Sequence, residues 1–207
     1  MTPQSSEKPF RYLLIDIDTQ RDFLLAGSEA CIRNHRRISD SIRSVMAWAR
    51  REDIQIISIH GIYYNNNNCN NTDCCLDGTN EQKKLRYTLL SNQASFPADD
   101  SDFMPVDLFQ THRQVILHKR CIDPFDEPKI ERLLSEIQAD EFILIGVGAE
   151  DAVKATALGL LQRGKNVRVV VDALGSHNLK EANLALRKMK TKGAKLIATK
   201  SLARILH

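Results

Sequence analysis

Short apolar runs, set at intervals and mostly unbroken by polar residues, constrain this chain more than any other feature. Five are clear: Tyr12 to Ile17, Ile54 to Ile59, Val115 to Leu117, Phe142 to Val147 and Val167 to Val171, with a weaker sixth from Lys195 to Ala198. A strand with one wet face alternates apolar and polar residues, whereas a near-continuous run suits a strand buried on both faces of a parallel sheet. Between the runs lie stripes of helical period: Ile38, Ile42, Val45, Met46 and Ala49; then Ile130, Leu133, Leu134 and Ile137; then Val153, Ala157, Leu160 and Leu161. Leu184, Leu186 and Met189 fit a fourth helix less neatly. Strand and helix in alternation predict an α/β fold of three layers, a parallel sheet of about six strands with helices on both faces. Right-handed crossovers leave few topologies open.

The rhythm breaks once. Residues 61–111 carry Asn65 to Asn68, Gly78, Pro97 and Pro105 and little sustained periodicity. Fifty residues are too many for a plain connection, so this insertion is expected to be a partly ordered lid with a short helix or two over the ligand edge of the sheet, within a single domain spanning 1–207. Its alternative is a surface insertion with no role at the site. Lys and Arg number 29 against 26 Asp and Glu, interspersed, which leaves no basic stripe for nucleic acid and no polybasic membrane anchor. No apolar run approaches the roughly 20 residues of a membrane span. The opening from Met1 to Pro9 is polar, so a cytoplasmic location is expected. The five cysteines, Cys31, Cys69, Cys74, Cys75 and Cys121, are then expected to be thiols. Cys69, Cys74 and Cys75 with His60 upstream match no zinc spacing, and neither a metal nor another cofactor is expected.

Ligands of open parallel sheets bind beyond the carboxyl ends of the strands, which directs attention to three segments. The first strand ends in Asp16-Ile17-Asp18-Thr19-Gln20-Arg21-Asp22-Phe23, the third in His118-Lys119, and the fourth runs through Gly146-Val147-Gly148 straight into Ala149-Glu150-Asp151-Ala152-Val153. Asp16 and Asp18 are two apart, so on a regular strand both lean to one face, either as a tuned carboxyl pair or with Asp16 tied to backbone or to a lysine. Asp22, Glu150 and Asp151 are read as acids near helix starts, where the dipole favours them.

These segments resemble the isochorismatase-like, or cysteine hydrolase, superfamily, which includes nicotinamidases. Asp18 followed by Gln20, Asp22 and Phe23 is similar to its first-strand signature. Lys119 with Phe125 following matches its lysine; Gly146-Val147 through Val153, Thr156 and Ala157 matches its strand-to-helix turn; Asp172-Ala173 matches its later Asp-Ala after the fifth strand. The resemblance covers residues 12 to about 200 and implies Asp18 and Lys119 as site residues, with Phe23, His60, Val147 and Gly148 around the ligand. It also implies a small-molecule ligand and, since relatives of the fold commonly self-associate, a homo-oligomer. His60 falls where metal-dependent members carry Asp-x-His, but Ser58 stands at the position of that Asp.

Where the family places its nucleophilic cysteine, this chain has Ala152. A helix start would lower a thiol's pKa there, and alanine offers no lone pair to form an acyl intermediate. Three readings follow. The first is a hydrolase of vinyl ethers, with Asp18 as acid and Lys119 orienting it, since water adds to the cation without a protein nucleophile. The second is a non-catalytic relative that binds a small molecule or serves as a scaffold. The third is an amidase with its cysteine exchanged for alanine.

Overall fold

The computed structural model describes residues 10–63, 74–105 and 107–204. Cys69 and the run Asn65 to Asn68 lie outside the described residues, as does the polar opening Met1 to Pro9. The sheet has seven strands, all parallel: β1 (Phe10–Ile17), β2 (Gln55–Gly61), β3 (Gln93–Phe96), β4 (Gln114–Lys119), β5 (Ala139–Val147), β6 (Val167–Gly175) and β7 (Lys195–Ile197), in the order β3-β4-β2-β1-β5-β6-β7. The helices are α1 (Arg21–Leu24), α2 (His35–Arg51), α3 (Leu108–Thr111), α4 (Pro128–Glu136), α5 (Ala152–Gln162) and α6 (Leu179–Thr191). All four helical stripes form helices: α2, α4, α5 and α6.

The strand count is seven where the apolar runs predict about six. The extra strand is β3, four residues at the edge of the sheet with exposed and half-buried positions alternating. At the rim of the sheet neither face of the strand is fully covered, as its exposed and half-buried positions show, so Gln93-Ala94-Ser95-Phe96 needs no apolar run and leaves no such signal. It lies in the 61–111 insertion, together with a 3₁₀ turn at Arg86–Thr88 and the short α3.

The two sheet faces carry separate cores. Leu13, Ile15 and Ile17 of β1 pack with Ile130 and Leu134 of α4, Val153, Ala157 and Leu160 of α5, and Ala182, Ala185 and Met189 of α6. Tyr12 and Leu14 pack on the other side with Ile38, Ile42, Val45, Met46 and Ala49 of α2. β1 is central and fully covered, and burial of its side chains, about 1.5–3 kcal/mol for each large apolar one, fixes its register. Gly146 of β5 lies beside Ile17 with φ 132°, and a Cβ there would sit 1.9 Å from the Ile17 carbonyl oxygen. That close approach draws the ends of β1 and β5 together, below the site.

Candidate active site

The first strand stops because of Asp18. Its φ of 50° breaks the alternation, so Asp16 and Asp18 do not share a face. Asp16 keeps the side of Tyr12 and Leu14, where Lys84 Nζ meets its Oδ2 at 2.7 Å and Ser58 Oγ donates to the same oxygen at 3.0 Å. Asp16 is therefore the lysine-tied residue and not half of a carboxyl pair. Asp18 turns to Lys119, with Nζ to Oδ2 at 3.0 Å, and its Oδ1 accepts the backbone N–H of Gly61 at 2.9 Å. Both oxygens of Asp18 are thus occupied, one by a donor from β2 and the other by a donor from β4.

Lys119 is buried, and its Nζ also donates to the Tyr63 hydroxyl at 3.3 Å. Burial lowers the pKa of the ammonium, but the charge of Asp18 and the contact with Tyr63 outweigh it, so the group is held above the ordinary lysine value. Burial pushes the Tyr63 phenol up to about 12, which keeps it protonated. The segment after β4 is set against α5 by Phe125. A Cβ on Gly159 would lie 2.0 Å from that ring, and the Arg163 guanidinium lies 4.0 Å from its centroid. This contact fixes the loop that leaves Lys119 relative to the helix that begins at Ala152.

β5 turns into α5 through Gly148, whose φ of 79° a side chain would resist. The Gly148 carbonyl accepts from the N–H groups of Asp151 and Val153, and among the described residues no backbone acceptor takes the N–H of Ala152. Ala152 is the first residue of α5, and its methyl faces a cavity of about 140 Å³ shared with Asp18, Phe23, Tyr63, Lys119, Val147 and Gly148. Asp151 lies on the same wall, its pKa raised by burial and by the charge of Glu150.

Six of the seven residues expected at the site, Asp18, Lys119, Ala152, Phe23, Val147 and Gly148, line this one cavity; His60 lines a different one. Cys74, Ile122 and His177 also line it, beyond what the sequence reading singled out. His177 was within reach of the strand-end argument, since β6 runs on to Gly175, two residues before it. Tyr63 and Cys74 carry no such signal, because long-range packing alone brings them here. The acids read as helix-start residues have further work. Asp22, in α1, accepts from Ser28 and from the backbone of Cys75, while Glu150 accepts the N–H groups of His177 and Asn178 and so holds the loop before α6. Among the described residues no three His, Cys, Asp or Glu side chains cluster as metal ligands, and no helix is long and apolar enough to cross a membrane.

The chain matches the Isochorismatase domain over residues 12–201. Similar solved structures include an isochorismatase family protein from Desulfovibrio vulgaris subsp. vulgaris str. Hildenborough (TM-score 0.74, 18% identity, 95% of this chain and 98% of that one). A nicotinamidase from Bacillus subtilis aligns with TM-score 0.72 at 19% identity, over 91% of this chain and 100% of that one. A ribonuclease from Caenorhabditis elegans aligns with TM-score 0.63 at 22% identity, over 97% and 82%. No curated protein sequence matches the chain. Amidase and ribonuclease on one fold mean that the likeness speaks for architecture and leaves the substrate to the site.

Proposed function

We propose that the chain, which belongs to the Isochorismatase domain family, is a relative that binds a small planar molecule in the Asp18–Lys119 cavity without cleaving it. The observation that carries this reading is Ala152: a methyl group at the first turn of α5, on the wall shared with Asp18 and Lys119, at the position where the family resemblance puts the thiolate of its cysteine hydrolases. A methyl can neither attack a carbonyl nor carry an acyl group.

The rest of the cavity suits binding. Phe23, Tyr63 and His177 supply ring faces and edges, Val147 and Ile122 apolar wall, and the Ala152 N–H a directed donor. A volume of about 140 Å³ is comparable to the roughly 150 Å³ apolar cavities that take up benzene. One ring with one polar substituent fits; an amide such as nicotinamide, whose carbonyl would accept from the helix start, is the natural first probe.

Vinyl-ether hydrolysis requires Asp18 to give a proton to the substrate. With Gly61 on one oxygen and Lys119 on the other, the carboxylate serves as an acceptor and would have to leave one partner to act as a donor. That arrangement favours the binding reading over the acid-catalysed one. The test is a titration with nicotinamide and benzamide, followed by turnover assays on amides and on an enol ether, with the protein as it stands and with Ala152→Cys. Saturable binding without turnover, and turnover of an amide only after Ala152→Cys, is expected. Saturable hydrolysis by the unaltered protein that disappears in Asp18→Asn would overturn the reading.

A further inference from the structure

Asp16 on β1, Ser58 and His60 on β2, and Ile116 and His118 on β4 share the sheet face of α2, with Asp16 in register with Ser58 and His60 with His118. The segment from Asn80 to Leu90 crosses this face, fastened by the Arg21 N–H on the Lys83 carbonyl and the Leu85 N–H on that of Thr19. Beneath it Lys84 reaches Asp16 and Thr19, and Gln114 donates to Ser58 and to the Thr88 carbonyl. This closed polar cluster is the base of a second cavity of about 650 Å³, which shares no lining residue with the first.

Its charge is lopsided. Arg21, Lys83, Lys84 and Arg86 line it, and among the described residues no carboxylate does. Lys84 is balanced by Asp16, and Arg21 donates to the Asn80 side-chain Oδ1, but among the described residues Lys83 and Arg86 have no acidic partner within ion-pair distance. The acid felt by His118 is Asp77, outside the lining. Two wall residues carry buried polar atoms with no partner among the described residues: His60, which is 8% exposed and has Nδ1 unmatched, and Gln82, with Oε1 unmatched. A buried polar atom left unmade costs roughly 1–3 kcal/mol, so such atoms in a cavity wall mark groups that a ligand would satisfy.

We propose that this cavity binds a phosphate-bearing small molecule, the phosphate between Lys83, Arg86 and Arg21 and the uncharged body against His60, His118 and the apolar wall of Ile62 and Leu89. Several separated cations with the Ser95 hydroxyl opposite call for an anion with at least three acceptor oxygens, which a phosphate has and a carboxylate lacks. Guanidinium groups match phosphate geometry, and the volume lies in the usual range for ligands of that size.

The experiment is calorimetric titration of the full chain, at fixed low ionic strength, with inorganic phosphate, phenyl phosphate and benzoate. Phenyl phosphate is expected to saturate, to bind more tightly than inorganic phosphate, and to exceed benzoate. The double variant Lys83→Gln/Arg86→Gln alters exposed side chains, so its fold should be kept, and it should weaken phenyl phosphate about tenfold or more. Ala152→Leu, which fills the other cavity, should leave that binding unchanged. No saturation by phenyl phosphate up to about 10 mM, in a range where binding worth about 3 kcal/mol would be seen, overturns the proposal. So does benzoate binding as tightly as phenyl phosphate, undiminished binding in the double variant, or binding lost in Ala152→Leu.

Discussion

Asp16 and Asp18 leave the first strand two residues apart and each meets a lysine, yet the two pairs are built for different ends. The Asp16–Lys84 pair is the more buried: its side chains are 0% and 3% exposed, Ser58 and Thr19 complete the cluster, and only the lysine borders a cavity. Lys84 comes from the segment that crosses the sheet, so the pair fastens that segment to β1. The Asp18–Lys119 pair is open on one side. Its aspartate is 10% exposed, both partners line a cavity, and Lys119 comes from β4, a strand the sheet holds in place whether or not the pair forms. An aspartate with no access to a cavity serves the fold; one that lines a cavity, as Asp18 does, can take part in recognition. One backbone torsion, the left-handed φ at Asp18, decides which aspartate does which.

If this contrast is right, breaking the more buried pair costs most. Lys84→Met strands a carboxylate in the interior and is expected to destabilise the protein by about 3–5 kcal/mol, a fall in Tm of roughly 6–20 °C for a chain of this size. Lys119→Met leaves Asp18 with the Gly61 N–H and an opening to the cavity, so about 1–3 kcal/mol is expected. The double variant Asp18→Asn/Lys119→Met should recover much of that loss, because no charge is left unpaired. Denaturant unfolding of the three variants is the check. Equal costs for Lys84→Met and Lys119→Met would erase the distinction between the pairs.

Much of this was legible before any coordinates. The runs Tyr12 to Ile17 and Phe142 to Val147 are strands because both faces of a central parallel strand are covered, and apolar composition records that directly. The rule that sites lie at strand ends pointed to the segments of Asp18, Lys119 and Ala152, the family resemblance singled out those three residues, and they line one cavity. What escaped has no local signature. β3 is a four-residue edge strand, and the partners of Asp16 come from positions 58 and 84, separations of 42 and 68 residues that no periodicity encodes. His60 illustrates the limit of register: two-residue alternation along β2 puts it beside Ser58 and His118, on the face away from Lys119.

The pH dependence of stability should separate the two regions next. Burial, then the charges of Lys84, His118 and Lys119, hold His60 well below the ordinary histidine range, and burial lowers His118 as well. The unfolded chain takes up these protons near pH 6.5 and the native chain does not, so the associated stability is present above pH 6.5 and is lost as pH falls below it. Lys119 is raised, so its contribution is complete below pH 10.5 and is lost only as pH rises beyond that. His60→Asn should therefore flatten the acid limb of a stability profile and leave the alkaline limb alone, while Lys119→Met should change the alkaline limb most and the acid limb only slightly, through the small effect of its charge on His60. Acid and alkaline limbs that change equally in either variant would mean that the two regions titrate as one.

The smallest effect on stability, and the sharpest on chemistry, is expected from Ala152→Cys. One sulfur fits a cavity of about 140 Å³, so the change in stability should stay within about 0.5 kcal/mol. The introduced thiol would stand at the first turn of α5, with Lys119 on the same wall, both of which favour the thiolate; Glu150 and Asp151 beside it oppose them. Burial raises the pKa of Cys31, and Cys75 is raised by its contact with Cys74 and by burial, so neither competes well for an alkylating agent. Cys74 lines the same cavity and sets the background rate that matters. Alkylation with iodoacetamide, followed by intact mass and peptide mapping, is expected to label the introduced thiol several-fold faster than Cys74. The same mapping on the unaltered protein after exposure to an activated ester completes the comparison. An acyl group found there on Cys74 would give the open pair its own nucleophile, brought in by the 61–111 insertion, and would sink the non-catalytic reading even with alanine at 152.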